Sequence, residues 1–177
     1  MRNTLFLLLI TLFFGACNPA GPKKQSSSLP YFDLKDYFAK EAKRLKLQNP
    51  EVNKTVMVNN TEEHKKLKIA DWQKELSVFS DADINKSAWQ GLFNLRKDKN
   101  NDTYLSDNEK VPVKSLSITY KNGKVYGIKI LISNTNSLYT SNDTLSYFPD
   151  SLYDVKKMQH IKLLKEKRYR ITGKLID

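Results

Sequence analysis

Cysteine is almost missing from this sequence: Cys17 is the only one in 177 residues. An internal disulfide and a cysteine-rich zinc site are therefore excluded. Histidine is nearly as scarce. His64 and His160 stand far apart, with no Cys or Asp at metal or triad spacing, so neither is expected to be catalytic. Only 6 Gly and 6 Pro exclude a collagen-like or linker-dominated chain. Gly-rich phosphate loops, His-Glu-x-x-His and Gly-x-Ser-x-Gly are all lacking. No catalytic residue emerges, and the chain reads as a non-enzyme. Its longest apolar run, Leu5 to Phe14 with Thr11 inside it, falls short of the ~20 residues a membrane-spanning helix needs.

What is present is a domain's worth of foldable sequence. Hydrophobic residues make up 40% and aromatics 11%, enough for a core, so a wholly disordered chain is excluded. Lys and Arg number 30 against 19 Asp and Glu, a formal charge of +11, which favours acidic partners or surfaces.

The N-terminus has the layout of a signal peptide: Met1-Arg2-Asn3 as a basic head, the apolar run, then Gly15-Ala16 before Cys17. Phe14-Gly15-Ala16-Cys17 resembles the lipobox of bacterial lipoproteins, although Phe14 departs from the commoner Leu. The resemblance implies cleavage before Cys17, a diacylglycerol on its sulfur and acylation of the new amino terminus. A thiolate suits that chemistry, being the one nucleophile of the stretch able to form the thioether. Residues 1–16 are thus expected to be a signal peptide, 17–29 a lipidated tether, and 30–177 one folded domain. The tether reads as flexible, since Pro19, Gly21, Pro22 and Ser26 to Ser28 interrupt any apolar period. Asn18 is not the Asp that marks inner-membrane retention in enterobacterial lipoproteins. Lys23-Lys24 replace the acidic cluster of the surface-export signal in Bacteroidota lipoproteins. The expected address is the cell envelope, lipid-anchored, in the outer membrane facing the periplasm. Nucleic acid is not an expected partner there, despite a pI near 9.6.

From Tyr31 to Leu47, Leu34, Tyr37, Phe38, Ala42 and Leu45 fall on one helical face, and Asn49-Pro50 ends the pattern. Val56 and Val58 alternate with Thr55 and Met57, and after Asn59-Asn60-Thr61 the alternation returns through Leu67 and Ile69. This predicts a hairpin, with a helix from Thr61 as the alternative because Asn60-Thr61-Glu62-Glu63 has capping-box spacing. Asp71 is placed to cap a second helix carrying Trp72, Leu76 and Phe79, and Ser80 to Lys86 reads as a polar turn. Strands are expected from Trp89 to Leu95, around Leu116 to Tyr120, and from Val125 to Ile132 after the Asn122-Gly123 turn. Two short strands, Leu138–Thr140 and Thr144–Phe148, are expected to flank Ser141-Asn142-Asp143. A last hairpin runs from Leu152 to Ile176. The predicted class is α+β, with N-terminal amphipathic helices packed on a twisted antiparallel β-meander. The order of Asp71 to Leu76, Ala82 to Lys86, Tyr120 to Lys124 and Leu138-Tyr139 is similar to that of small lipoproteins of Bacteroidota, a resemblance that implies no particular activity.

Two constellations could bind. Asp98, Asn100, Asp102, Tyr104 and Glu109 fall at positions 1, 3, 5, 7 and 12 of an EF-hand loop, with Ser106 at 9, a candidate calcium site. Thr103 stands where that loop needs Gly, and Pro112 breaks any exiting helix, so a solvated hairpin loop is the favoured reading and no cofactor is expected. In the last hairpin, Arg168, Arg170 and Lys174 alternate with Tyr169, Ile171 and Leu175. On the preceding strand Lys156, His160 and Lys162 fall opposite Ile161 and Leu163. A basic face results, read either as edge protection or as contact with anionic lipid headgroups or an acidic envelope partner. The sequence therefore predicts a lipid-anchored envelope protein acting by binding or scaffolding. A carrier of a lipid or other amphiphile in a cavity under the sheet, or a calcium-binding envelope protein, are the alternatives.

Overall fold

The computed structural model of the protein describes residues 30–176; Cys17, the signal segment and the tether lie outside the described residues. Helix α1 (Leu34–Gln48) starts where the Asp33 carboxylate accepts from the Asp36 N–H. It stops at Asn49, which turns left-handed at φ 48° ahead of Pro50. Its apolar face is buried as the spacing predicts, through Leu34, Phe38, Ala42 and Leu45. Strands β1 (Glu51–Val58) and β2 (Thr61–Lys68) form the expected hairpin rather than a helix from Thr61, with Asn59 at φ 54° in the turn. Asp71 caps α2 (Trp72–Glu75) by accepting from Lys74 N–H, and α3 (Ser77–Ser80) follows at once. Trp72, Leu76 and Phe79 are all buried on one side of this pair.

Seven strands complete the chain: β3 (Asn94–Asp98), β4 (Asn101–Leu105), β5 (Val113–Lys121), β6 (Lys124–Thr135), β7 (Tyr139–Phe148), β8 (Leu152–Ile161) and β9 (Lys167–Ile176). They run as an antiparallel meander, and the β1–β2 hairpin joins it beside β9, giving the order β2-β1-β9-β8-β7-β6-β5-β4-β3 in one nine-stranded open sheet. Asn122 and Gly123 take φ 52° and 73° between β5 and β6, the backbone of the two-residue turn that Asn-Gly favours.

Four local expectations are corrected. Trp89 sits in a 3₁₀ turn (Ser87–Trp89), Gly91 takes φ 75°, and the strand begins only at Asn94. Gly91 N–H donates to the Tyr31 hydroxyl, a contact that local alternation does not reveal. Ser80 to Lys86 is not simply polar surface, because Ala82, Asp83 and Ile84 are buried there. Ser141-Asn142-Asp143 is no turn but the middle of β7, where both neighbouring strands satisfy its backbone. The last hairpin also does not need edge protection: β9 pairs with β1 on one side and β8 on the other.

The helices lie across one face of the sheet. At the start, Tyr31 packs edge-on against Tyr104 of β4, and at the far end the α1 residue Arg44 reaches Asp150 after β7. Phe38 stacks on Phe79 at 5.0 Å, and Tyr147 meets both edge-on at 5.1 and 5.8 Å. Two buried phenols tie helices to strands: Tyr147 donates to Glu41 of α1, and Tyr153 to Glu75 of α2, which also accepts from Lys54 of β1 at 2.6 Å. Desolvation pushes both phenols well above the ordinary tyrosine range, and the adjoining carboxylates push the same way. Tyr153 lies directly over its cross-strand partner Gly173, where a Cβ would sit 2.1 Å from the ring.

Candidate functional site

The sheet's other face carries no helix, and strand register arranges its side chains in rows. One row runs Glu62, Met57, Arg170, Lys156 and Thr144 across β2, β1, β9, β8 and β7. The next places Arg168 beside Met158 and Asn142. Between the rows lies a shallow groove of about 390 Å³, lined by Met57 and Met158 and flanked by Arg168, Arg170 and Lys156. Apart from Met1 these are the chain's only methionines. A polarizable, unbranched side chain adapts to varied apolar shapes, which suits a contact surface.

The cations around the groove are held in place. Asp154 accepts from Arg170 Nε at 2.8 Å and from the Thr172 hydroxyl at 2.8 Å, with Lys156 Nζ 3.6 Å away. Burial alone would raise the Asp154 carboxyl, but these hydrogen bonds and charges outweigh it and hold the group below its ordinary value. Arg168 Nε donates to Glu166 at 2.7 Å, a pair more open to solvent than Arg170 on Asp154. In each arginine the terminal Nη1 and Nη2 donors make no hydrogen bond among the described residues, and a planar fork of that kind matches a carboxylate.

Of the basic residues expected on one face, Lys156, Arg168 and Arg170 are brought together. Lys174 shares the face but pairs with Leu152, six residues and about 20 Å along the strand from Arg168. His160 lies opposite Thr140 near the end of β8, and Lys162 falls past the strand in the β8–β9 turn. Ile161 and Leu163, expected to face the core, are 37% and 96% exposed, because β8 outruns the helices that cover the sheet. The sequence reading missed Asp154, Glu166 and Glu62 as local counter-charges, and missed Met57 and Met158 as a pair. The signal for the methionines was present: alternation with Val56 and Val58 put Met57 on the outward face.

The residues at EF-hand spacing are dispersed by a β-hairpin. Asp98 pairs with Asn101 across the turn that holds Asn100. Asp102 accepts from Tyr120 Oη at 3.4 Å; burial first, then Asp102, raise that phenol to about 12. Tyr104 is buried against Tyr31, and Glu109 lies beyond β4 in the loop before β5. Among the described residues no three His, Cys, Asp or Glu side chains cluster as metal ligands, and no helix is long and apolar enough to cross a membrane.

The architecture is an α+β protein built on an open nine-stranded antiparallel sheet. No protein-family model, no curated protein and no solved structure matches the chain.

Proposed function

We propose that this chain is a lipid-anchored cell-envelope protein that acts by binding, and that the outer face of β1, β9 and β8 is its binding surface. The observation carrying the reading is the groove that the half-buried Met57 and the exposed Met158 line between Arg168 and Arg170, each arginine hydrogen-bonded through Nε to a carboxylate. An apolar floor between two pre-positioned guanidinium groups fits an acidic partner segment that interleaves carboxylates with apolar side chains. The lipobox-like Cys17 supports the anchor. The alternative of a carrier with a cavity under the sheet is less favoured, because Phe38, Phe79, Tyr147 and Trp72 fill the space between helices and strands.

Residues 30–176 share one core, so a soluble chain starting at Ser26 carries the folded unit. With its methionine methyls labelled, Met57 and Met158 become reporters in the groove itself. An acidic peptide alternating Glu with Leu should shift both methyl resonances, and added salt should reverse the shift. Lys156→Gln, Arg168→Gln and Arg170→Gln together should abolish it. An equal response to a Gln/Leu peptide, or an unchanged response in the triple variant, overturns the reading.

A further inference from the structure

One end of the sheet is closed by the β6–β7, β8–β9 and β1–β2 turns, and it carries apolar side chains that none of the described residues covers. Leu163 is 96% exposed, Leu138 65%, Leu164 58% and Ile161 37%. Leu138 and Leu163-Leu164 belong to neighbouring turns, joined where Lys162 N–H donates to the Leu138 carbonyl at 2.9 Å. Leu164 N–H donates to the Ile161 carbonyl at 2.9 Å, closing a tight turn in which Leu163 takes φ 70°. That place in such a turn suits Gly, so the fold holds a leucine outward against its own backbone preference.

Charge surrounds these leucines. The segment from Lys162 to Arg168 has four cations, Lys162, Lys165, Lys167 and Arg168, against the single Glu166, which Arg168 pairs. Among the described residues the three lysines make no ion pair. Protruding leucines ringed by unpaired lysines match the two layers of an anionic membrane surface, acyl chains below and phosphates above. The described chain also begins near this end, with Tyr31 against Phe93, which precedes β3, and Tyr104, one residue from the end of β4.

We infer that this end of the sheet dips into an anionic lipid surface, with Leu138, Leu163 and Leu164 in the apolar layer and Lys162, Lys165 and Lys167 on the headgroups. The inference does not depend on acylation of Cys17 or on the groove. With the end down, the Met57–Met158 groove faces sideways and stays open to a partner.

The chain from Ser26 has no cysteine, so Leu163→Cys gives a single attachment point for an environment-sensitive fluorophore. On phosphatidylglycerol vesicles its emission should shift to the blue. The same label at Leu47→Cys, 87% exposed at the C-terminal end of α1, should not shift. Lys162→Gln, Lys165→Gln and Lys167→Gln together should weaken vesicle binding about a hundredfold. Leu138→Ser, Leu163→Ser and Leu164→Ser together should weaken it by roughly tenfold or more. Lys156→Gln with Arg170→Gln, a groove pair that leaves Arg168 on Glu166, should bind vesicles as the parent does; if this pair alone loses them, the groove and not the sheet end is the lipid contact. No blue shift at Leu163, equal binding to phosphatidylcholine, or a dimer held by these leucines in the absence of lipid overturns the inference.

Discussion

Gly173→Ala is the sharpest test of how the sheet is fastened to the helices. The added methyl would stand 2.1 Å from Tyr153 Cζ and 2.3 Å from both Cε1 and Oη, so the ring must leave its place. Tyr153 is 1% exposed and its hydroxyl donates to Glu75 of α2, so the move has two costs. Overpacking a filled site costs about 1–3 kcal/mol. A hydrogen bond to a charged acceptor, broken in a part-buried place, adds about 1.5–3 kcal/mol. The substitution should therefore destabilise by about 3–5 kcal/mol, read from urea unfolding followed by circular dichroism. The same methyl in a Tyr153→Leu background meets none of the atoms it collides with, since Cζ, Cε1 and Oη are gone. There it should be neutral or stabilising by about 0.5 kcal/mol, because alanine loses less backbone entropy than glycine on folding. The two backgrounds must differ by at least about 2 kcal/mol. A cost below about 1 kcal/mol in the parent, or the same cost in both backgrounds, would refute the placement of Tyr153 over Gly173.

Three further outcomes follow from the same geometry. Trp72→Ala removes a ring that is 1% exposed and should cost about 3–5 kcal/mol, whereas Trp72→Phe should cost less than about 1.5 kcal/mol, because the indole N–H has no partner among the described residues; equal costs in calorimetry would contradict this. Tyr147 has its phenol raised by burial and then by Glu41, so its stabilisation is complete below the unfolded tyrosine value of about 10 and is lost as pH rises beyond it. Tyr147→Phe should be less stable at pH 7 and show a shallower alkaline loss, Tyr37 and Tyr153 supplying the rest; an unchanged slope would contradict the assignment. Leu163→Gly relieves about 1–2 kcal/mol of left-handed strain and gives back about 0.5–1 kcal/mol in unfolded-chain entropy, so a net gain of about 0.5–1 kcal/mol is expected in urea unfolding. A loss instead would mean that Leu163 packs on the folded chain.

What the sequence made legible was local. The buried stripe of α1, the Asp71 cap and the Asn122-Gly123 turn each depend on residues within a few positions of one another. What it hid was set by distant pairing. Nothing near Arg168 to Ile176 says that β1, more than a hundred residues earlier, closes on it and makes β9 an interior strand. The same register brings Asp154 and Glu62 toward Arg170, so cations that alternation shows in one dimension have local counter-charges, and hence fixed positions, only in two. The oxygen spacing from Asp98 to Glu109 fits a loop around an ion, yet strand alternation and the pairing of β4 with β5 prevail over it. In Ser141-Asn142-Asp143, turn-forming residues lie within a strand because both neighbours supply backbone partners. At the sheet end, alternation reads Ile161 and Leu163 as core-facing. Only the reach of the helices across the sheet shows that none of the described residues covers them.

The proposal that this is a lipid-anchored envelope protein acting by binding meets its most direct test in a mass spectrum of the protein purified from its native membranes without prior delipidation. The expected species is a chain beginning at Cys17 that carries a diacylglyceryl thioether and an acylated amino terminus. A chain that retains residues 1–16, or one that begins after them with Cys17 as a free thiol, would contradict it.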